Sequence, residues 1–154
     1  GLHADFLDLS LHNKLAKREM KILGKRVDLS KIDYPVYMMA GSTDHITPWK
    51  ACYRSTQLFN ADNVQFVLTN QNHTQTISSR DDNKHLKHWI GKGYPADPEA
   101  WLENVDEHSG SWVLNWIDWL KEKSPAEPVP APIAYGNDNF PEIDAAPGRY
   151  VLES

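Results

Sequence analysis

The chain has 154 residues, enough for one domain or part of one, and is 40% hydrophobic, slightly low for a globular domain but sufficient for a core. A net charge of −5 without a basic stripe argues against a nucleic-acid binder, and the single cysteine, Cys52, rules out an intrachain disulfide. No apolar run approaches the roughly 20 residues that span a bilayer, and the opening Gly1-Leu2-His3-Ala4-Asp5 lacks the basic-then-apolar order of a signal peptide.

The chain starts without Met, inside a helix-like stretch, and reads as a piece of a longer protein. Residues 4 to 19 are rich in Ala, Leu, Lys, Arg and Glu and contain no Pro, which predicts a helix. Met20 to Leu29 holds two short apolar segments about Gly24-Lys25, the pattern of a small hairpin. Val36 to Ala40 is nearly continuous in apolar residues, as for a strand buried on both faces. The loop Gly41 to Trp49 follows and offers Asp44. Thr47 is suited to cap, and Pro48 to begin, a helix reaching about Phe59. After a turn at residues 60–63 comes a second strand, Val64 to Thr69, and a second loop, Asn70 to Thr74, carrying His73. The order strand, acid loop, helix, strand, His loop is one βαβ unit. It implies a parallel pair with a right-handed crossover, and hence an α/β fold.

Residues 78 to 98, including Asp81-Asp82-Asn83, read as loop with a short strand or turn near Trp89. Asp97 is placed to cap a helix that starts at Pro98, carries Trp101 and ends near Glu107. Ser109-Gly110-Ser111 caps the next, Trp112 to about Lys123, whose Trp112, Trp116, Trp119 and Leu120 share one side and read as core packing, with contact to a hydrophobic polymer or membrane surface as the alternative. From Ser124 the chain is rich in Pro and Ala, with Pro125, Pro128, Pro130 and Pro132. The expected organisation is a folded part over 1–123 and an extended tail over 124–154.

In an open α/β sheet, chemistry collects at the carboxyl ends of strands. Here one strand ends in an Asp loop and the next in a His loop. Histidine is suited to take a proton from a nucleophile, and a carboxylate can fix its tautomer. Asp44 and His73 are therefore the candidate acid and base, against the simpler reading of a turn cap and a surface histidine. His45, beside the acid, is assigned a structural or substrate-facing role. Cys52 falls on the predicted helix with no flanking glycines. No G-x-S-x-G or G-x-C-x-G elbow occurs, so the nucleophile is expected upstream, outside the chain. His85 and His88 lack a carboxylate or cysteine frame and read as surface residues rather than a metal site. Gly91-Lys92-Gly93 is too short for a phosphate loop.

Several of these segments resemble the C-terminal part of the polyhydroxyalkanoate synthases, in particular the class I branch. They are Asp5-Phe6-Leu7-Asp8-Leu9 with Asn13-Lys14-Leu15, Val27-Asp28-Leu29, Asp44-His45-Ile46 with Pro48-Trp49, and Phe66-Val67-Leu68 ahead of His73. Trp101, Glu107-His108 with Gly110-Ser111-Trp112, and the closing run from Ala146 to Val151 complete the likeness. It implies the C-terminal portion of an α/β-hydrolase fold, with a mostly parallel sheet that is incomplete here. It also implies a Cys-His-Asp triad in which Asp44 and His73 fall on the acid and the base. The implied substrate is a 3-hydroxyacyl-CoA, extended into a polyester with release of CoA. No cofactor or metal is implied. The implied partners are the growing polymer, its granule surface and a second subunit in a homodimer, in the cytoplasm. Asn72 stands where the family usually has Gly. Asp44 could orient His73 or act directly on the 3-hydroxyl. The rival readings are a depolymerase-like ester or thioester hydrolase on the same fold, and a non-catalytic interaction module.

Overall fold

The computed structural model describes residues 1–80, 83–124, 127, 129–131, 133 and 136–153. Asp81 and Asp82 of the expected loop, and Pro125, Pro128 and Pro132 of the expected tail, lie outside the described residues. The chain divides into two units, Gly1–Ser124 and Pro125–Ser154.

In the first unit, helix α1 spans Leu2–His12 and is shorter than its composition suggests. Asn13 takes the left-handed conformation (φ 49°) and stops it, a geometry asparagine tolerates better than most residues. Strands β1 (Lys21–Ile22) and β2 (Lys25–Arg26) form the expected hairpin. Its turn residues Leu23 and Gly24 both have positive φ, the turn geometry that matches strand twist. A 3₁₀ turn at Leu29–Lys31, capped by Asp28, leads into β3 (Val36–Gly41).

Helix α2 (Trp49–Arg54) tightens into a 3₁₀ turn at Ser55–Leu58, so the regular helix is half the expected length. A further 3₁₀ turn, Ala61–Asn63, is capped by the Asn60 side chain and delivers the chain to β4 (Val64–Thr69). Then follow α3 (His73–Ile77), β5 (Lys87–Ile90), α4 (Pro98–Leu102), β6 (Asp106–Ser109) and α5 (Trp112–Lys123). Asp97 accepts the Glu99 N–H and Ser111 accepts the Val113 N–H, so both predicted caps form.

The four longer strands make one sheet in the order β3-β4-β5-β6, and the architecture is α/β. β3 and β4 are parallel, with Val36 opposite Val64 and Gly41 opposite Thr69. The β4–β5 and β5–β6 pairs are antiparallel, so the sheet of this chain is mixed rather than mostly parallel. Only Ala40 and Gly41 of β3 are buried; Val36 to Met39 are half-buried, not enclosed on both faces. The cause is position: within this chain β3 is an edge strand. β6 replaces the end of the helix expected to reach Glu107. Its Asp106-Glu107-His108-Ser109 is polar and exposed, so it becomes a strand by pairing with β5, not by hydrophobic pattern.

The core is aromatic. Tyr53, Phe66 and Trp101 are almost fully buried beside Ala40 and Leu68, with ring centroids 5.1–5.3 Å apart. Such pairs add about 0.5–1.5 kcal/mol each beyond the area they bury. The Tyr53 hydroxyl donates to the Pro95 carbonyl (2.8 Å) and locks α2 against the loop before α4. β5 covers only the second half of β4. The Tyr94 hydroxyl completes the first half, accepting from Phe66 N–H and donating to the Val64 carbonyl, both at 3.0 Å. Trp112 and Trp119 close over Tyr37, with centroids 6.1 and 5.3 Å away, so the tryptophan stripe packs against β3; Trp116 at its edge is 37% exposed.

The second unit holds a bridge between Asn137 and Phe140, a cis Ala146–Pro147 bond and a 3₁₀ turn at Tyr150–Leu152. Arg149 reaches Asp144 at 2.6 Å. Its large apolar residues Val129, Ile133, Phe140 and Ile143 are exposed. Among the described residues no helix is long and apolar enough to cross a membrane.

Candidate active site

β3 and β4 run side by side in the same direction, so their carboxyl ends open at one edge of the sheet. The loops beyond them are joined through the backbone. Ser42 N–H donates to the Thr69 carbonyl (2.7 Å) and Thr43 N–H to the Gln71 carbonyl (3.3 Å). Gly41 permits this approach: a Cβ there would run into the Gln71 carbonyl oxygen and the Thr76 hydroxyl.

Asp44 lies on the first of these loops and His73 opens α3 on the second. The His73 Nδ1 sits 2.8 Å from Asp44 Oδ2. The Asp44 side chain is only 5% exposed, and every hydrogen bond it makes is accepted. Oδ1 takes the N–H groups of Ile46 (2.8 Å) and Thr47 (2.9 Å); Oδ2 takes the Thr47 hydroxyl (2.7 Å) and the His73 ring. Burial pushes this carboxyl up. The Thr47 hydroxyl and amide, His73 and the Ile46 amide together outweigh it and hold the group well below the usual carboxylate range. Asp44 is thus a fixed anion. Because it can only accept, His73 must carry a proton on Nδ1; in the neutral ring Nε2 is then the acceptor, and among the described residues it has no hydrogen-bond partner, 36% of the side chain being exposed.

His73 is not on a free loop. Asn72 caps α3 by accepting the Gln75 N–H with extended backbone (φ −87°, ψ −178°). Asparagine at this position therefore serves as a helix cap. Behind the helix lies a buried polar relay. Gln71, 5% exposed, accepts from the Thr69 and Ser79 hydroxyls at 3.0 Å and donates to the Gln75 carbonyl at 2.8 Å. Ser79 in turn lies 2.7 Å from the Ser111 hydroxyl that caps α5. The Trp112 indole N–H donates to the Thr76 carbonyl (3.0 Å). The tryptophan helix thereby fixes the height of α3 and of His73 upon it.

Thr47 does not cap α2. That helix has Pro48 at its cap position with no side-chain bond, and the Thr47 hydroxyl is spent on Asp44. Sequence reasoning missed this role, although an Asp followed three residues later by Thr is a recognisable local turn signature. His45 is exposed and makes no side-chain hydrogen bond among the described residues, and the structure does not bring it into the Asp44–His73 pair. Cys52 lies half-buried on α2, its thiol donating to the Thr47 carbonyl at 3.7 Å. Burial first, and the Asp44 charge second, push that thiol up, the reverse of what a nucleophile needs.

His88 departs from its surface reading. It is 6% exposed on β5, with Nδ1 2.9 Å from the Gly110 carbonyl, and stacks on His108 at 5.3 Å. Burial, partly offset by that carbonyl, lowers its proton affinity. Among the described residues no cluster of three His, Cys, Asp or Glu is arranged to hold a metal.

No family model matches the chain. Curated relatives do. Poly(3-hydroxyalkanoate) polymerase 1 of Ectopseudomonas oleovorans is 38% identical over 154 residues, which is 99% of this chain and 27% of that protein. The poly(3-hydroxyalkanoate) polymerase subunit PhaC of Cupriavidus necator is 37% identical over 92% of the chain and 25% of its own length. The subunit of the same name from Rhizobium etli is 34% identical over 98% of the chain and 23% of its length. The chain spans about a quarter of the length of the curated relatives it matches.

Proposed function

We infer, from the premise that this chain is by sequence a C-terminal segment of a poly(3-hydroxyalkanoate) polymerase, that it supplies the acid and the base of that enzyme's acyl transfer. The observation that carries the reading is the Asp44–His73 pair at adjacent parallel strand ends, 2.8 Å apart, with Nε2 unpartnered among the described residues. Those strand ends belong, on this reading, to an α/β-hydrolase sheet continued by the rest of the polymerase. The folded segment 1–123 carries the pair and 124–154 is a separate tail.

The chemistry follows from the tautomer. Nε2 of His73 takes the proton of a cysteine thiol contributed by the rest of the polymerase. The thiolate attacks the carbonyl of a 3-hydroxyacyl-CoA thioester. CoA leaves as its thiolate and recovers the proton from the imidazolium, and an acyl-cysteine remains. His73 then removes the proton of a 3-hydroxyl. The oxygen attacks the acyl-cysteine, an ester forms, and the cysteine sulfur leaves and is reprotonated. Asp44 holds the ring through both steps and steadies its positive charge. It does not itself abstract a proton: both oxygens are occupied by donors, and its charge is well stabilised. His45, exposed beside the acid, is left free to contact the CoA substrate. No metal or organic cofactor enters this scheme. The polymer surface and a second subunit are the partners proposed for the whole enzyme, in the cytoplasm or at the granule.

Incubated by itself with 3-hydroxybutyryl-CoA, the chain is expected to release no CoA beyond the buffer rate, while the polymerase that contains it turns over. Sustained release by the chain alone would show that the nucleophile is within it and overturn the reading. Cys52→Ala in the whole polymerase is expected to leave turnover and acyl-enzyme formation intact, because that thiol is tied to a carbonyl and faces the Asp44 charge. Loss of the acyl-enzyme in mass spectra of that variant would move the nucleophile to α2.

A further inference from the structure

We propose that Thr47 is a positioning residue of the Asp44–His73 pair, its hydroxyl sharing Asp44 Oδ2 with the His73 ring and so setting how firmly the carboxylate holds the imidazole. The proposal rests on the catalytic reading above and adds to it a residue that acts only through Asp44.

The geometry is a triangle. The Thr47 Oγ1 lies 2.7 Å from Oδ2, His73 Nδ1 lies 2.8 Å from the same oxygen, and Oγ1 and Nδ1 are 3.4 Å apart. The carboxylate oxygen has no proton to give, so both neighbours donate to it. The 3.4 Å side is therefore a contact between two donors rather than a third bond. Thr47 is held in place by its own backbone, since its N–H donates to the other oxygen, Oδ1. Its hydroxyl proton thus sits permanently against the charge that has to steady the imidazolium, and it draws part of that charge away from the ring.

Among the described residues two further titratable groups adjoin this triangle. His45 adjoins Asp44 on the same loop, and Cys52 faces the Asp44 charge from α2. The carboxyl ends of β3 and β4 and the rest of α3 contribute no acid or base besides His73.

Thr47→Val keeps the shape and removes the hydroxyl. Oδ2 then serves His73 alone, the ring is held more firmly in its charged form, and it gives up its proton at higher pH. In the polymerase that contains this chain, the acid limb of the pH–rate profile is expected to move up by about half a pH unit, the order of one neutral hydrogen bond. The downfield proton resonance of the His73–Asp44 hydrogen bond, assigned by its loss in His73→Ala, is expected to move further downfield. Thr47→Ser, which restores the hydroxyl, is expected to return both to the parent values. If Thr47→Val does not fold, Thr47→Ala carries the same comparison with Ser. An unmoved limb and resonance in the Val or Ala variant would overturn the proposal, and so would a Ser variant that stays away from the parent values, because the hydroxyl would then not be what sets the pair. Parent-like turnover in His73→Ala would instead sink the catalytic reading, while the resonance comparison would still decide what Thr47 does to Asp44.

Discussion

Replacement of His73 by alanine is expected to lower CoA release by the polymerase roughly 10⁴-fold, the upper end for a lost general base. The size follows from the double use of one atom. Nε2 is the free acceptor of the pair, and in the proposed cycle it takes a proton first from a thiol and then from a hydroxyl. A thiol keeps a few per cent of thiolate at neutral pH, so the acylation step can proceed slowly without a base. The hydroxyl has no such reserve, and the second step should stall. The variant is therefore expected to accumulate acyl-enzyme relative to its turnover. A spectrophotometric assay of free CoA, with mass spectrometry of the protein, separates the two steps. Turnover within tenfold of the parent, in protein of unchanged circular dichroism, would remove His73 from the chemistry and with it the reading of the site. The fold should tolerate the change, since the α3 cap belongs to Asn72 and the buried relay to Gln71.

Asp44→Asn is expected to reduce turnover by between about 10² and 10⁴, the upper figure being that for a wrong-tautomer histidine acting on a serine hydroxyl. The hydrogen bonds dictate why the amide is no substitute. The N–H groups of Ile46 and Thr47 both point at Oδ1, so the asparagine carbonyl must occupy that position. Its NH₂ then takes the place of Oδ2 and points at His73 Nδ1. A ring that accepts at Nδ1 must carry its proton on Nε2, and the base is blocked. The loss should fall on kcat, with KM little changed, because substrate does not contact the buried carboxyl in this scheme. Parent-like kcat in Asp44→Asn would show that the ring finds its working tautomer without the acid.

Much of this arrangement was legible in the residues. The two strands, the intervening helix and the parallel pairing followed from Val36 to Ala40, Pro48 and Val64 to Thr69, and the two polar loops placed an acid and an imidazole at neighbouring strand ends. The misreadings share a cause. β6 has no apolar alternation, so only its partner β5 makes it a strand. Helix α1 stops at Asn13 because one residue turns left-handed, which composition does not reveal. His88 read as surface because His85-x-x-His88 is polar, yet in the β5–β6 ladder it pairs with His108 and is buried.

Residue identity and periodicity were enough to name an acid and an imidazole as candidates and to place them on loops at the carboxyl ends of two neighbouring strands. The spacing between Asp44 and His73, 29 positions, has no distance in it. That Nδ1 and Oδ2 meet at 2.8 Å is a property of the folded chain, because it depends on two loops bonded across a glycine too small to obstruct them. Folding likewise assigned the roles of Gln71 and Ser79, polar side chains whose local sequence offers several partners of similar worth. Burial selects among those partners, since away from water each donor must be matched to an acceptor already in place.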